Sequence, residues 1–205
     1  MLRLHGFPVS KDYLASTADE SIKFAKKIGR DVAMKIVSPD ILHKSDAGGV
    51  RLGLGSEHDI RDAFDGIMKG ARAYKPDADI KGVLISPMAP KGLEVIIGTK
   101  IDDQFGPVIM YGLGGILVEI MRDVVFRVLP VSPVYAKKMI EETKSFAILN
   151  GVRGQTQHDK GALRKLLSMC SDIIESYPEI REMDLNPVIA HEVGVSIVDT
   201  RIILK

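Results

Sequence analysis

Apolar and polar positions alternate with period two in two neighbouring stretches, Val32–Val37 and residues 49–54. In the first, Val32, Met34 and Ile36 share one face of a strand while Ala33, Lys35 and Val37 share the other. In the second, Val50, Leu52 and Leu54 fall together with Arg51 opposite. A period near 3.6 takes over on either side. Ile22, Ala25 and Ile28 line one face of a helix that opens at the capping pair Thr17 and Glu20 and stops at Gly29. Ile60, Ala63, Phe64, Ile67, Met68 and Ala71 line a second, opened by Ser56 and Asp59 and ended by Pro76.

Farther along, residues 81–88 and 93–101 are β-rich and joined by 89–92, which contains Pro90 and Gly92. Residues 107–111 read as another strand, after which a Gly-Leu-Gly-Gly stretch at 112–115 leads into 116–129. Helical spacing over 133–149 and 160–177 brackets a polar loop at 151–158. The last part alternates as a hairpin, with strands at 183–190 and 195–203 and a turn at 191–194. Residues 1–15 read as a leading loop or edge strand, and the opening MLRLHGFPV also fits the end of a helix that began earlier. Hairpins without a βαβ rhythm predict an α+β protein of two lobes, residues 1–86 and 87–205, with the ligand in the cleft between them.

Composition removes several function classes. A charged fraction of 27% and a hydrophobic fraction of 45% in 205 residues describe an ordinary globular chain. A net charge of +1, no basic run and only 5% aromatic residues argue against nucleic acid as a partner. No apolar run reaches the length of a membrane span and no signal-peptide pattern precedes the first helix, so the expected compartment is the cytoplasm, without a membrane partner. Cys170 is the one cysteine and falls in the apolar row of a helix, which predicts a buried structural thiol.

Two constellations carry candidate chemistry. Lys35 sits among small and apolar neighbours on a strand, where an ammonium is costly unless an anion meets it or the strand lies at an edge open to water. The stretch Asp46, Ala47, Gly48 and Gly49 follows it. Taken alone, that stretch reads most simply as a hairpin turn; together with Lys35 it suits phosphate. The chain contains no P-loop signature and no dinucleotide fingerprint. At the other end, Asp184 and Asn186 are two apart on one strand and Asp199 lies on the returning one. A carboxylate and an amide oxygen facing one cleft suit Mg²⁺, while an Asn-Pro turn flanked by solvated acids explains the same spacing. His43 lies in the loop between; its context alone fits a solvated residue.

Read together, these segments resemble the ATP-grasp fold, in particular the nucleotide-binding (beta) subunit or domain of ADP-forming (NDP-forming) acetyl-CoA and acyl-CoA synthetases, relatives of the succinyl-CoA synthetase beta subunit. The resemblance rests on GFPV (6–9), VAMKI (32–36), SPDILHKSDAGGV (38–50), GLEVIIG (92–98), QFGPVIMYGLGGILVE (104–119) and EMDLNP (182–187), in that order over nearly the whole chain. It implies that Lys35 contacts ATP phosphates, that Gly48, Gly49 and Arg51 belong to a loop closing over them, and that Ser86, Pro87 and Met88 form the hinge at the adenine edge. It implies that Glu94 contacts the nucleotide, that Asn186 and Asp199 hold Mg²⁺, that Asp184 faces an incoming phosphohistidine, and that Glu119 closes the second glycine-rich segment. It also implies that His43 is a second phosphoryl carrier, since a neutral imidazole is nucleophilic near pH 7.

The function implied is phosphoryl transfer between ATP/ADP and a phosphohistidine relay coupled to acyl-CoA/carboxylate interconversion. The partner is a CoA-binding, phosphohistidine-bearing (alpha) subunit or fused domain, in a hetero-oligomer. Two alternatives stay open at this point: an ATP-grasp carboxylate-amine ligase, and a non-catalytic ATP-sensing module of a larger protein.

Overall fold

The computed structural model of the chain describes residues 1–41, 43–115, 123–152 and 156–205. Contacts divide it into two units, Ser10–Met88 and the paired segments Met1–Val9 and Ala89–Lys205. This differs from a division into 1–86 and 87–205 chiefly in the first nine residues. They go with the second unit because Leu2 and Phe7 are buried in its core, Ile197 N donates to Pro8 O at 3.0 Å, and Val9 bridges Ile197 in parallel.

The unit Ser10–Met88 contains β1 (Tyr13–Ala15), α1 (Ala18–Ile28), β2 (Val32–Val37), β3 (Val50–Leu54), α2 (Glu57–Tyr74) and β4 (Gly82–Pro87). Its antiparallel sheet runs β1-β4-β2-β3. The helix ends follow the capping residues: Thr17 accepts from Glu20 N, Ser56 and Asp59 complete a capping box, and Gly29 closes α1 at φ 74°. Val32, Met34 and Ile36 turn into a core shared with Ile22, Ala25, Ile60, Phe64 and Ile67.

One expected face is not kept. On β2 two steps separate Val32 from Met34, but their β3 partners, Leu54 and Arg51, are three steps apart. The extra residue is a bulge, with Gly53 at φ 69°. It turns Leu54 into the core and leaves Leu52 61% exposed, so Leu54 does not share a face with Val50 and Leu52.

The second unit contains β5 (Leu93–Asp102), β6 (Gly106–Leu113), β7 (Val124–Val128), α3 (Pro133–Glu141), the single turn α4 (Phe146–Leu149), α5 (Lys160–Ser176), β8 (Ile180–Ala190), β9 (Val195–Ile197) and β10 (Thr200–Leu204). The antiparallel sheet runs β10-β8-β5-β6-β7, with β9 also on β8. Alternate residues Val95, Ile97, Ile109, Tyr111, Met183 and Leu185 pack with Met139, Ile140, Leu163, Leu166 and Leu167 from the helices. Cys170 is fully buried in that core, where burial pushes its thiol pKa up, as expected of a structural thiol.

Two sequence expectations change here. The helix expected over 133–149 breaks after Glu141, because the buried Asp123 carboxylate accepts from Lys144 N at 2.8 Å and Ser145 N at 2.7 Å and pulls the chain into a turn. The returning strand at 195–203 breaks at Val198 and Asp199. Pro187 has no N–H to give the ladder; instead Val198 N donates to Pro187 O at 3.0 Å and Asn186 N to Asp199 O at 3.1 Å. The segment 116–122, with Glu119, lies outside the described residues. Among the described residues no helix is long and apolar enough to cross a membrane.

Candidate functional site

In the first unit, Lys35 is 6% exposed in the middle of β2, between β3 and β4. Its cross-strand partners are Val50 and Leu84, and Ala33, two residues back, is paired with Ser86. Lys35 and Ser86 therefore occupy the sheet face opposite the one packed on α1 and α2. Ser86 is buried and its Oγ has no hydrogen-bond partner among the described residues. The two share a buried face, and a polar ligand reaching that face would satisfy the orphaned Ser86 hydroxyl. Pro87 and Met88 follow at the end of β4; Met88 N donates to Asp31 O at 2.9 Å and its sulfur accepts from Gly53 N at 3.4 Å.

The loop after β2 is fastened at both ends. Asp40 accepts from Asp79 N at 2.7 Å and from Lys75 Nζ at 3.1 Å, and these two, Asp79 N first, hold its carboxyl below the ordinary carboxylate range. Ile41 and Ala47 are buried in the core, and His43 between them is exposed. Gly49 has no room for a side chain against Ile36, and a Cβ on Gly70 of α2 would come within 2.7 Å of Ala47 O.

This geometry alters what the loop glycines do. Gly48 N donates to Ser45 O at 3.0 Å and Gly49 N to Lys44 O at 2.7 Å, so both amides are committed inside the turn. Arg51 is paired across β2 with Met34, a core residue, and so points to the α2 side of the sheet, away from Lys35. Its Nη1 donates to Gly48 O and Val50 O at 3.0 and 2.9 Å. Lys35 and Ser86 share a face; Arg51 does not join them.

In the second unit, Asp184 pairs with Gly98 of β5 on one side and Arg201 of β10 on the other. Met183 and Leu185 point into the core, so Glu182, Asp184 and Asn186 share the opposite, open face. Asn186 meets Asp199 through the backbone hydrogen bond already described, which brings Asp184, Asn186 and Asp199 to one end of the β8–β10 pair. Burial pushes the Asp184 carboxyl above its ordinary range, Glu182 and Asp199 add to this, and Arg201 opposes it. Glu94 is exposed on β5, and its Oε2 lies against Gly115, where a Cβ would approach to 2.9 Å; Gly114 N donates to Glu94 O at 2.7 Å.

Sequence reasoning did not single out Glu182, Arg201 or Gly98, which flank Asp184 on this face. The first two were legible as members of the same alternating rows as Asp184 and Asp199, while Gly98 carried no local signal. Beside Asp184 the open face holds a hollow of about 280 Å³, lined by Gly98, Met110, Phe126, Val108, Glu182 and Asp184 among others.

A metal would find few protein ligands here. Among the described residues no group of three or more His, Cys, Asp or Glu could hold a metal ion. An amide oxygen and a carboxylate, Asn186 and Asp199, suit a hard cation that keeps waters and takes further oxygens from a phosphate, as Mg²⁺ does.

Comparison with known proteins gives concordant matches. The family model described as the ATP-grasp domain matches residues 1–204. The chain is 47% identical over 204 residues to the beta subunit of acetate–CoA ligase (ADP-forming) I of Pyrococcus furiosus, covering 100% of this chain and 88% of that one. It resembles the dinucleotide forming acetyl-coenzyme A synthetase 1 of Korarchaeum cryptofilum in complex with coenzyme A and Ca-AMPCP, with a TM-score of 0.96 and 45% identity, covering 100% of this chain and 89% of that one. It also resembles the same synthetase in complex with coenzyme A and Mg-AMPPCP, with its phosphohistidine segment pointing towards the nucleotide binding site; there the TM-score is 0.86 at 42% identity, covering 100% and 88%. Other relatives are longer chains, of which this one covers 29 to 30%.

Proposed function

The chain belongs to the ATP-grasp family, and from that premise we propose that it is the nucleotide-binding subunit of an ADP-forming acyl-CoA synthetase, an acid-thiol ligase. The observation that carries this is identity of 47% over the whole chain to a beta subunit of that activity, together with a buried Lys35 on the same sheet face as the buried Ser86. Its partner is the CoA-binding subunit that bears the phosphohistidine, either as a separate chain or as a fused domain of the kind the longer relatives suggest.

The overall reaction is acyl-CoA + ADP + phosphate ⇌ carboxylate + CoA + ATP. On the partner, phosphate displaces CoA thiol from the acyl group, and an imidazole nitrogen of the partner takes the phosphoryl from the acyl phosphate, releasing carboxylate. In this chain an imidazole nitrogen of His43 then bonds to that phosphorus as the partner's N–P bond breaks, and an oxygen of the ADP β-phosphate takes the phosphoryl in turn as the His43 N–P bond breaks, giving ATP and free imidazole. Lys35 binds the phosphates as a cation on a rigid strand, which positions them and offsets their charge. Ser86, Pro87 and Met88 border the nucleotide base, and Glu94 contacts the nucleotide. Gly48 and Gly49 form the covering loop, with Arg51 bracing it from the opposite face through Gly48 O; because the two glycine amides are tied to Ser45 and Lys44, that loop must open its own turn before those amides reach a phosphate. Asn186 and Asp199 would hold Mg²⁺, which supplies charge neutralisation on the phosphates when bound. Asp184 faces the phosphohistidine. His43, exposed on a loop fastened by Asp40 and Ala47, serves as an intermediate phosphoryl carrier. The enzyme works in the cytoplasm, where its single buried thiol stays reduced.

The test is reconstitution. Co-expressed with its CoA-binding partner, the chain should form ATP from ADP, phosphate and acetyl-CoA or another acyl-CoA. Absence of ATP formation from every acyl-CoA tried, together with no calorimetric binding of Mg-ADP by the chain, would sink the assignment.

A further inference from the structure

A second hollow, of about 230 Å³, lies within the unit Ser10–Met88, where the last turn of α1 meets the first turn of α2 and the end of β3. Its floor is apolar: Ile22, Ala25 and Ile60 are buried and Leu54 is half-buried. Its rim carries charges of both signs. Lys26 and Glu57 pair with each other across it at 2.7 Å. Arg30 and Asp31 are exposed on the same rim and make no ion pair among the described residues. Gly55 leaves room for the Asp31 carboxylate, since a Cβ there would come within 2.9 Å of Asp31 Oδ1. The backbone under the hollow continues to the end of β4: Asp31 O accepts from Met88 N at 2.9 Å, and Val32 pairs with Leu54 on one side and Pro87 on the other.

We propose that this hollow is a regulatory site for a small zwitterion with an apolar tail, an α-amino acid of leucine's class. The rim rejects simpler occupants. A bare carboxylate would sit against Asp31 and Glu57, and a bare amine against Lys26 and Arg30, each facing like charge. A molecule with both groups on one carbon sets its carboxylate on Arg30 and its ammonium on Asp31, and its tail covers the apolar floor. A volume below that of drug-sized pockets holds the occupant to a few heavy atoms. The binding site stands apart from the function proposed above; its regulatory effect rests on that reading, in which Pro87 and Met88 border the nucleotide base. An occupant held by Asp31 and Leu54 steadies the segment to which Pro87 and Met88 are bonded, so its affinity and that of Mg-ADP are linked, each raising the other.

Calorimetry on the full chain, and on the chain assembled with its partner, tests this with four probes: L-leucine, 4-methylpentanoate (leucine without its ammonium), 3-methylbutylamine (leucine without its carboxylate) and glycine. Expected is saturable binding of leucine near about 1 mM, at least about tenfold weaker binding of the other three, and Mg-ADP affinity raised about fivefold by saturating leucine. Arg30→Gln and Asp31→Asn, both on the exposed rim, should each weaken leucine about tenfold with melting temperature and Mg-ADP affinity unchanged. Ala25→Leu fills the floor and should abolish leucine binding; if it fails to fold, the two rim variants decide. No leucine binding overturns the proposal, as does equal binding of 4-methylpentanoate, which would make the hollow a plain carboxylate site. Leucine bound by the chain but not by the assembly also overturns it, since a side chain of the partner would then fill the hollow. Leucine binding that leaves a measurable Mg-ADP affinity unmoved overturns the regulatory role. A chain that binds leucine at the rim but never binds Mg-ADP supports the site and overturns the nucleotide reading instead.

Discussion

Gly49 presses so closely on the side chain of Ile36 that no Cβ fits between them, and Lys44 O blocks the other side at 2.9 Å. The glycine is thus part of the core of the smaller unit before it is part of any phosphate loop. Gly49→Ala should destabilise the chain by about 1–3 kcal/mol, the usual cost of overpacking, read as a lower denaturation midpoint in urea at unchanged slope. Gly48, with a φ of 61° and open space around its Cβ position, should show only the milder conformational penalty when replaced by Ala.

Lys35→Met keeps length and removes the charge from a face that does not build the helix-packed core. Nucleotide affinity should fall by about 10²-fold with the circular dichroism spectrum unchanged, measured by calorimetry with Mg-ATP. Affinity within twofold of the natural chain would remove Lys35 from the phosphate site.

His43→Ala separates binding from relay. The side chain is exposed and the loop is held by Asp40, Ile41 and Ala47, so folding and Mg-ATP affinity should be unchanged. ATP formation by the assembled enzyme should fall by more than about 10³-fold, as for loss of a nucleophile that acts as part of a unit. Full activity in the variant would leave a single phosphohistidine, on the partner.

Asp184 is held above its ordinary carboxyl range by burial, Glu182 and Asp199, against Arg201. A raised folded-state pKa means that ionised Asp184 destabilises the fold at neutral pH, and that this penalty fades as pH falls toward the ordinary value of 3.8. Asp184→Asn should therefore raise the melting temperature at pH 7, with the gain shrinking toward pH 4, while phosphoryl transfer slows. A variant less stable at pH 7 would show that Arg201 outweighs burial.

Asp159 caps α5 through Ala162 N at 2.8 Å and ties down the β8–β9 turn through Gly194 N at 2.8 Å. Those two backbone donors, Gly194 first, hold its carboxyl below the ordinary range. Asp159→Ala should cost roughly 1 kcal/mol above the ordinary carboxylate range, with the difference lost as pH falls through the depressed folded value. A pH-independent difference would assign the effect to packing.

Much of the molecule could be read from its residues, and the exceptions share a cause. Val32, Met34 and Ile36 reach the core as their alternation predicts, and α1 and α2 begin at Thr17 and Ser56, because capping and periodicity are encoded within a few residues. Lys35 announced itself as an ammonium among apolar neighbours. What stayed hidden depends on residues far apart: Gly53 changes the facing of Leu54 only through its register with Val32 and Met34, and Asp123 ends α3 from outside the helix. The β9–β10 break follows from Pro187, which has no N–H, but its place on the returning strand depends on pairing. Gly98 looked like any strand glycine until Asp184 and Met110 were found on either side. The facing of Arg51 away from Lys35 is likewise a fact of register.

The connectivity has a consequence for how the polypeptide acquires its structure during synthesis. The ribosome releases Pro8 and Val9 long before Ile197, the residue that receives them, so they wait without a partner while the whole of Ser10–Met88 emerges. That intervening stretch has its own sheet, helices and core, and can settle during the wait. The larger unit must close a very long loop before it is complete, which makes it the slow half of folding. A chaperone that shields Leu2 and Phe7 until Ile197 arrives would speed assembly more than one acting on the smaller unit.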